Sequence, residues 1–353
     1  MEMKNICKSF DGCEAVRDVS FGIEKGKLTA LLGPSGSGKT TLLRILAGLE
    51  RQDSGDVRLD GTVINHVPAN ERGIGFVFQY YALFRYMTVY ENIAFGLKVK
   101  KMDKKKIRER VTEMISLIGL EGLEKRYPDQ LSGGQRQRVA FARAIAPKPD
   151  LLLFDEPFAA IDAKVRKELR TWLREMVRKV GVTSIFVTHD QDEAVEVADD
   201  IIVINKGKLE QMGDPKEIYK HPQTAFVAEF IGASAVLDRL FGFKGFDDLS
   251  PGQKAIVRPE FVEAFKSDNQ KFKNLLHAVE YGTIESIAFR GSYLEVTLLV
   301  NGIRLTTNRS LERRDIVVGE KMCVLLYRVY VFDENGADLR KNRLLERVDV
   351  EAL

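Results

Sequence analysis

A glycine-rich segment near the amino terminus has the residue types and spacing that hold the phosphates of a nucleotide. The segment fits the pattern G-x-x-x-x-G-K-[ST] and consists of Gly33, Pro34, Ser35, Gly36, Ser37, Gly38, Lys39 and Thr40. Its glycines let backbone N–H groups turn towards phosphate oxygens, and the start of a helix adds positive potential. Lys39 can reach the β- and γ-phosphates, the Thr40 hydroxyl can bind Mg²⁺, and Thr41 is a further phosphate contact. A glycine-rich turn without a ligand is the weaker alternative, because Lys and Thr follow at the required positions.

An acidic pair, Asp155 and Glu156, follows the apolar run Leu151 to Phe154 and precedes Pro157. An aspartate at the end of a buried strand can hold Mg²⁺, and the neighbouring carboxylate can polarise a water molecule aimed at the γ-phosphate. Paired carboxylates are usually surface residues, but the four apolar residues before this pair favour a catalytic role. The pair therefore adds hydrolysis to the predicted nucleotide binding.

Two further polar residues end apolar runs. His189 comes after Ser184 to Val187, and Gln79 follows Ile74 to Phe78. A histidine in such a place is often only a structural hydrogen-bonding group, but beyond a strand end it could sense or stabilise the γ-phosphate. Gln79 could reach the metal ion or the attacking water. Both are predicted to belong to the catalytic site.

The elements that must position these residues form an α/β unit. Leu28 to Leu32 reads as a buried strand and Lys39 to Ala47 as a helix, with the glycine-rich turn between them. The apolar runs before Asp155 and His189 read as buried parallel strands. Ligands of open α/β sheets lie beyond the carboxyl ends of the strands, so these separated segments are predicted to meet at one site. Before them, residues 1–27 alternate as antiparallel strands do.

The rest of the chain has two other patterns. Residues 88–130 read as helical and strongly charged, and the basic run 98–110 is interpreted as a solvated helix face in preference to a nucleic-acid site. After about residue 232 the pattern changes to short alternating segments, which predict a small β-barrel or sandwich. These segments are Ala255–Arg258, Ile284–Phe289, Tyr293–Val300, Ile303–Thr307 and Met322–Phe332.

Composition sets limits on partners. The 353 residues favour two domains, and a net charge of +3 creates no strong field for nucleic acid. The three cysteines, Cys7, Cys13 and Cys323, have no paired spacing and are expected to be reduced thiols. No apolar run reaches membrane-spanning length, so a role in transport would require separate membrane subunits.

The segment Leu131-Ser132-Gly133-Gly134-Gln135-Arg136-Gln137-Arg138 resembles the signature sequence of the ATP-binding cassette family. The resemblance covers residues 1 to about 235 and includes Gln79, the loop of Asp162 and His189 in the family's order. It implies a head-to-tail dimer in which each ATP lies between one chain's phosphate loop and the other chain's Ser132, Gly133, Gly134 and Gln135. Small residues there permit close backbone approach, and Ser132 and Gly134 offer donors at a helix start. A turn that only caps a helix beginning near Gln135 is the alternative.

The same resemblance assigns roles to two aromatic or acidic positions. Phe10 stands where the family stacks an aromatic ring on adenine, although a strand phenylalanine alone would more often be core. Asp162 is expected to bridge the two subunits. The segment Phe158 to Asp162 has Ala159 where the family usually has serine, so any role of that hydroxyl is lost.

Other segments narrow the resemblance to binding-protein-dependent importers. Ile218 to Pro222, Phe226 to Gly232 and Arg258-Pro259-Glu260 are similar to the end of their ATPase domain and to their oligonucleotide/oligosaccharide-binding-type accessory domain. Residues 1–235 are thus predicted to form the cassette, with a helical subdomain at about 88–150, and residues 236–353 the β-rich accessory domain. The segment Phe76 to Val89 is most similar to ATPases of sulfate/thiosulfate importers, which typically have histidines where this chain has Tyr80 and Tyr86.

The sequence therefore predicts an ATP- and Mg²⁺-dependent ATPase that drives a membrane importer from the cytoplasmic face of the membrane. Its expected partners are a second copy of itself, two membrane permease subunits that contact Phe76 to Val89, and, indirectly, a solute-binding protein. Sulfate or thiosulfate is the favoured solute, and molybdate, iron, a sugar or a polyamine is the alternative. A nonmembrane cassette ATPase acting on nucleic acid is disfavoured, because the chain has neither a long coiled coil nor a second cassette. The β-rich tail could also act as a regulatory sensor.

Overall fold

The computed structural model describes residues 1–159, 163–232, 234–240, 242–333 and 336–345. Asp162, expected to bridge two subunits, lies outside these residues, as do Ala160 and Ile161. The chain divides into two compact units, residues 1–216 and 217–353. Each unit has its own sheets and its own core.

The first unit contains ten strands and six helices among its described residues. In chain order these are β1 (Glu2–Phe10), β2 (Cys13–Gly22), β3 (Leu28–Leu32), α1 (Lys39–Ala47), β4 (Ser54–Leu59), β5 (Thr62–Val63), β6 (Ile74–Val77), α2 (Val89–Val99), α3 (Lys104–Leu117), α4 (Gly133–Ile145), β7 (Leu151–Asp155), α5 (Ala163–Val180), β8 (Thr183–Thr188), α6 (Gln191–Val197), β9 (Asp200–Asn205) and β10 (Lys208–Gly213). Short 3₁₀ turns occur at Ala69–Glu71 and Pro128–Gln130.

A six-stranded sheet in the order β10-β9-β3-β8-β7-β6 forms the centre of this unit. All its pairings are parallel except that of β10 with β9. Every residue of β3 and β8 is buried, as expected of strands covered on both faces. The predicted strand at Leu28 to Leu32 and the predicted helix at Lys39 to Ala47 are confirmed with the same bounds.

A second sheet, in the order β2-β1-β4-β5, is antiparallel throughout and confirms the prediction for the first residues of the chain. Its first hairpin turns at Asp11 and Gly12, both in the left-handed backbone region. That region is easily reached by glycine and tolerated by aspartate, which is why this dipeptide forms tight hairpins. Phe10 and Cys13 are the closing pair of the hairpin.

The helical part of the unit consists of α2, α3 and α4. Thr88 and Glu91 form a capping box at the start of α2, and the Asp103 carboxylate caps α3. Helix α3 buries one stripe of side chains, Ile107, Val111, Met114 and Ile115. Helix α4 begins at Gly133, two residues earlier than expected, because the Ser132 hydroxyl caps it there.

The second unit is built on two antiparallel sheets. After α7 (Pro215–Lys220), which crosses the division between the units, the elements are α8 (Ala225–Phe230), β11 (Ala235–Leu237), β12 (Lys254–Val257), β13 (Val262–Phe265), β14 (Glu280–Phe289), β15 (Tyr293–Val300), β16 (Ile303–Ser310), β17 (Lys321–Leu326), β18 (Arg328–Asp333) and β19 (Gly336–Lys341), with 3₁₀ turns at Pro259–Phe261, Gln270–Ala278 and Arg343–Leu345. One sheet has the order β11-β12-β18-β19 and the other β13-β17-β14-β15-β16.

One alternating segment of the sequence is divided between two strands of this unit. The segment Met322 to Phe332 is not continuous but divides at Tyr327 into β17 and β18, which belong to different sheets. The reason is the hydrogen bonding of the Tyr327 backbone. Its N–H donates to the Phe261 carbonyl at 2.9 Å and its carbonyl accepts from the Asn342 N–H at 2.8 Å, so neither group is available to a ladder.

Two motifs noted in the sequence meet in this unit. Arg258 is fully buried, and its guanidinium lies 3.7 Å from the centroid of the Tyr219 ring. The Tyr219 hydroxyl donates to Glu260 at 2.7 Å, and burial together with this hydrogen bond raises the pKa of Tyr219 to about 12. Ala228 of α8 also belongs to the core of the unit. The domain boundary near residue 235 stays a prediction.

The carboxyl-terminal end of α1, the helix that carries Lys39 and Thr40, is closed by the buried side chain of Arg72. The Arg72 guanidinium donates to the carbonyls of Ile45 at 2.7 Å and Leu46 at 2.8 Å. The Ile45 carbonyl also accepts from the N–H of the capping residue Gly48 at 3.1 Å. Carbonyls in this last turn carry the negative end of the helix dipole, so a cation is favourable there. Arg72 therefore fixes the far end of the helix whose start forms the phosphate loop.

We expect Arg72→Met to lower the free energy of unfolding by about 3 kcal/mol, because it leaves several buried carbonyls without a donor. The free energy of unfolding of Arg72→Lys should lie between those of the unchanged protein and Arg72→Met, because one ammonium cannot reproduce the planar donor geometry of a guanidinium. Urea unfolding can be followed by the fluorescence of Trp172, the single tryptophan, which reports the first unit. The exposed Arg51→Met is the matched control, and an equal effect of both changes would contradict the assignment.

Candidate functional site

The glycine-rich loop joins β3 to α1, and two of its glycines are sterically required. A Cβ atom on Gly33 would lie 2.1 Å from the Ile204 carbonyl oxygen. Gly38 has a φ of 99°, and a Cβ there would lie 2.3 Å from the Ala15 carbonyl oxygen. No side chain can be added at such distances without moving the backbone. Packing against β2 and β9 therefore determines the shape of the loop as much as its own sequence does.

The Lys39 side chain is buried inside this loop. Its ammonium donates to the carbonyls of Gly33 at 2.8 Å and Pro34 at 2.7 Å and lies 3.3 Å from the Ser37 hydroxyl. Burial lowers the pKa of Lys39, and the charge of Glu156 acts in the opposite direction. The loop thus contains a partly desolvated cation beside the acidic end of β7. Such a cation attracts phosphate more strongly than an exposed lysine would.

Parallel pairing brings the four sequence-predicted polar segments to one edge of the sheet. Leu32 of β3 is paired with Thr188 of β8, and Val187 of β8 is paired with Asp155 of β7. Val77 of β6 is in turn paired with Phe154. The strands run in the same direction, so the residues that follow them lie side by side. The phosphate loop, His189, the acidic pair and Gln79 are therefore neighbours in space.

Glu156 is held from two sides. The side-chain amide of Gln79 donates to one Glu156 oxygen at 3.1 Å, and Nδ1 of His189 lies 3.3 Å from the other. The Glu156 backbone has a φ of 44°, in the left-handed region that costs energy for residues other than glycine. A strained carboxylate with two hydrogen-bonding neighbours at the end of a buried strand is positioned for chemistry.

Asp155 and Thr40 are two of the predicted metal ligands. Burial raises the pKa of Asp155, while the Arg44 charge and the nearby Thr40 hydroxyl act in the opposite direction. Together with the amide oxygen of Gln79 they offer the hard oxygen donors that Mg²⁺ prefers. Within the described part of the chain no cluster of three His, Cys, Asp or Glu residues forms a metal cage. This donor set fits an ion that takes further ligands from phosphate and water, as Mg²⁺ does.

Phe10 is not a core residue. Its ring is 43% exposed at the tip of the β1–β2 hairpin, and the Lys8 ammonium lies 5.0 Å from the ring centroid. The hairpin continues into Ala15, whose carbonyl approaches Gly38 of the phosphate loop. An exposed aromatic ring at this position is available for stacking on a base.

The segment Ser132 to Gln135 forms the first turn of α4, and two of its backbone N–H groups bond to side chains of the same segment. The Ser132 hydroxyl accepts from the Gln135 N–H at 3.2 Å, and the Gln135 side chain accepts from the Ser132 N–H at 3.0 Å. The capping alternative considered from the sequence is therefore real, but it leaves the Ser132 hydroxyl proton free to be donated. Among the described residues no hydrogen bond joins this segment to the phosphate loop of the same chain.

Sequence reasoning did not single out Arg44, whose charge opposes the burial effect on the Asp155 pKa. Arg44 lies four residues after Thr40 on α1 and so shares a face with it, which was the available signal. Of the described helices, none is both long enough and apolar enough to cross a membrane.

Comparison with known proteins identifies the family. Residues 16–159 match the sequence profile described as ABC transporter. A sulfate/thiosulfate import ATP-binding protein of Synechocystis sp. is 50% identical over 305 residues, which cover 84% of this chain and 84% of the relative. A protein of the same description from Thermosynechococcus vestitus is 58% identical over 235 residues, covering 67% of this chain and 70% of the relative.

Two solved structures resemble the first part of the chain. The ATP-binding cassette MJ0796, in a dimeric post-hydrolysis state with ADP and Pi, is 33% identical with a TM-score of 0.54 and covers 61% of this chain and 98% of its own. CbiO1 of Clostridium perfringens is 31% identical with a TM-score of 0.58, covering 62% of this chain and 90% of its own. The phosphate loop, the acidic pair and these similarities agree, and the chain belongs to the ABC transporter family as an ATP-hydrolysing subunit.

Proposed function

We propose that this chain is the ATP-hydrolysing subunit of an importer for sulfate and thiosulfate. The assignment of ATP hydrolysis is supported by the position of Glu156, which lies between Gln79 and His189 beside the phosphate loop. The solute is supported by relatives named as sulfate/thiosulfate import ATP-binding proteins, which cover most of this chain. The resemblance of Phe76 to Val89 to such ATPases supports the same solute.

In the proposed reaction the Glu156 carboxylate accepts a hydrogen bond from the attacking water and polarises it towards the γ-phosphate. Gln79 orients this carboxylate, and His189 donates to charge that develops on the transferred phosphoryl group. Lys39 and the loop N–H groups hold the phosphates, and Thr41 adds a contact. Mg²⁺, held by Thr40, Asp155 and Gln79, would neutralise phosphate charge when bound.

Two copies of the chain would share each ATP. Ser132, Gly133, Gly134 and Gln135 would contact the γ-phosphate bound to the partner's loop, using the Ser132 hydroxyl proton and the N–H groups at the start of α4. A γ-phosphate that bridges two chains favours the closed dimer only as far as it binds that state more tightly, and hydrolysis removes the bridge. The dimeric state of the solved cassette MJ0796 supports this arrangement. Phe10 would stack on adenine.

The membrane subunits would dock on the segment Phe76 to Val89. Its two most exposed aromatic side chains are Tyr80 at 78% and Tyr86 at 96%. They line a surface cavity of about 810 Å³ together with Tyr81, Arg85 and Arg136. Exposed aromatic and arginine side chains around a concave surface are typical of protein interfaces. The chain would therefore lie at the cytoplasmic face of the membrane, with the solute-binding protein contacted only indirectly.

The solute can be tested by transport. The chain would be reconstituted in vesicles with its two membrane subunits and solute-binding protein, with ATP on the side of this chain. We expect ATP-dependent uptake of radiolabelled sulfate that unlabelled thiosulfate inhibits by competition, and no uptake of a labelled sugar. Uptake of molybdate or sugar without uptake of sulfate would contradict the proposed solute but leave the ATPase assignment intact.

Glu156→Gln should leave ATP binding within about two-fold of the unchanged protein, while the rate of hydrolysis falls by about 100-fold or more. The amide keeps the shape and the contact with Gln79 but cannot polarise water as a carboxylate does. Equilibrium binding of a fluorescent ATP analogue and steady-state phosphate release measure the two effects. Glu109→Gln, a change on the exposed face of α3 and far along the sequence from the site, is the control. Near-normal turnover of Glu156→Gln would contradict its catalytic role.

The shared site predicts that two inactive chains can restore activity together. Lys39→Ala disables the phosphate loop. Ser132→Arg disables the segment Ser132 to Gln135 that contacts the partner's ATP. Alone, each homodimer has no complete site. In an equal mixture half of the dimers pair the two variants, and each has one complete site, so we expect about one quarter of full activity. Phosphate release from the mixture measures the recovery, and activity no higher than the sum of the separate variants would exclude sharing.

A further inference from the structure

The polypeptide around His189 is held by side chains that the proposed mechanism does not use. The side chain of His189 is 57% exposed, and its Nδ1 lies 3.3 Å from the Glu156 carboxylate. A long single contact does not fix an exposed imidazole, because rotamer freedom competes with it. Its position must therefore depend on the backbone on either side.

Thr188, directly before His189, is buried and fully bonded. Its hydroxyl donates to the Glu193 carboxylate at 2.5 Å and accepts from the Asp190 N–H at 3.0 Å. Asp190, directly after His189, accepts from the Glu193 N–H at 3.1 Å through its own carboxylate. The residues on both sides of the histidine are thus tied to each other and to Glu193. Charge-assisted bonds of this kind are among the stronger ones in proteins.

Arg170 joins this turn to helix α5, on which it lies. One of its terminal nitrogens lies 3.3 Å from Asp190 and 3.4 Å from Glu193, and the other lies 3.2 Å from Glu196. The Arg170 side chain is only 12% exposed and that of Glu193 only 7%. Without Arg170, three carboxylates would lie together, with that of Glu193 largely out of solvent, and their repulsion would disturb the turn.

We propose that Arg170 and Glu193 are positioning residues that hold His189 against Glu156, so that α5 and the catalytic histidine move as one body. The inference rests on the proposed function of His189 and goes beyond it, because it assigns the geometry of the site to a network behind it.

Arg174 supplies a matched control on the same helix. It lies one turn after Arg170 and donates to the Glu196 carbonyl at 2.8 Å, so it also joins α5 to α6. No described contact of the Arg174 side chain reaches Thr188, Asp190 or Glu193. Loss of Arg174 therefore removes a tie between the same helices without touching the residues that flank His189.

The test compares Arg170→Met, Glu193→Gln and Arg174→Met in the full chain by the rate of ATP hydrolysis and the affinity for ATP. We expect the first two changes to lower kcat by about 10-fold with ATP affinity within about two-fold, and Arg174→Met to lower kcat by less than about two-fold. Hydrogen exchange at the amides of residues 189 and 190 should accelerate in the first two variants only. Thermal unfolding followed by Trp172 checks that each variant is folded.

A double change separates this inference from the function on which it rests. If the network acts through His189, Arg170→Met should lower kcat by less than about two-fold in a chain that already has His189→Ala. If the loss of kcat in the double variant equals the product of the losses in Arg170→Met and His189→Ala, the two residues act independently. That result would overturn the positioning role while leaving the function of His189 intact. Equal losses in Arg170→Met and Arg174→Met would also overturn it, because they would indicate general loosening of the helices. Unchanged turnover in His189→Ala alone would instead contradict the proposed role of the histidine.

Discussion

The parallel pairing of β3, β8, β7 and β6 is the constraint on which the whole site depends. Most residues of these strands are buried and each strand contains an apolar stretch, so the free energy of removing them from water favours their order and register. The polar residues lie just beyond the ends of these strands. A slip of one residue between two strands would reverse the faces of their side chains and separate groups that now lie about 3 Å apart. The positions at which these four strands end therefore determine which polar groups meet in the site.

Several groups at this edge of the sheet are held in conformations or environments that lower the stability of the fold. Glu156 has a left-handed backbone, a conformation that costs about 1–3 kcal/mol, and Lys39 is removed from water although it carries a charge. Both costs are offset by the buried strands and by capped helices such as α1, whose last carbonyls are bonded to Arg72. The strained and desolvated groups are those to which the reaction is assigned, and the supporting groups lie behind them.

Arginine side chains largely out of solvent join separate elements in both units. In the first, Arg72 and Arg170 bond to backbone carbonyls or carboxylates. In the second, Arg309 bonds to the Ala264 carbonyl, and the Arg258 guanidinium lies against the rings of Tyr219 and Tyr330. A buried arginine is therefore a recurrent joint in this protein, and each one connects segments that are far apart in the chain.

The sequence alone determined the features that depend on neighbours along the chain. The phosphate loop, the bounds of β3 and α1, the α/β class and the family follow from local spacing, because backbone geometry over a few residues is dictated by those residues. Tertiary structure decided the rest. The contacts of Gln79 and His189 with Glu156, the network of Arg170 and the division of Met322 to Phe332 at Tyr327 all depend on partners distant in sequence. Such hydrogen bonds form only after strand register and helix packing are set, and no local pattern encodes which distant group will be in reach.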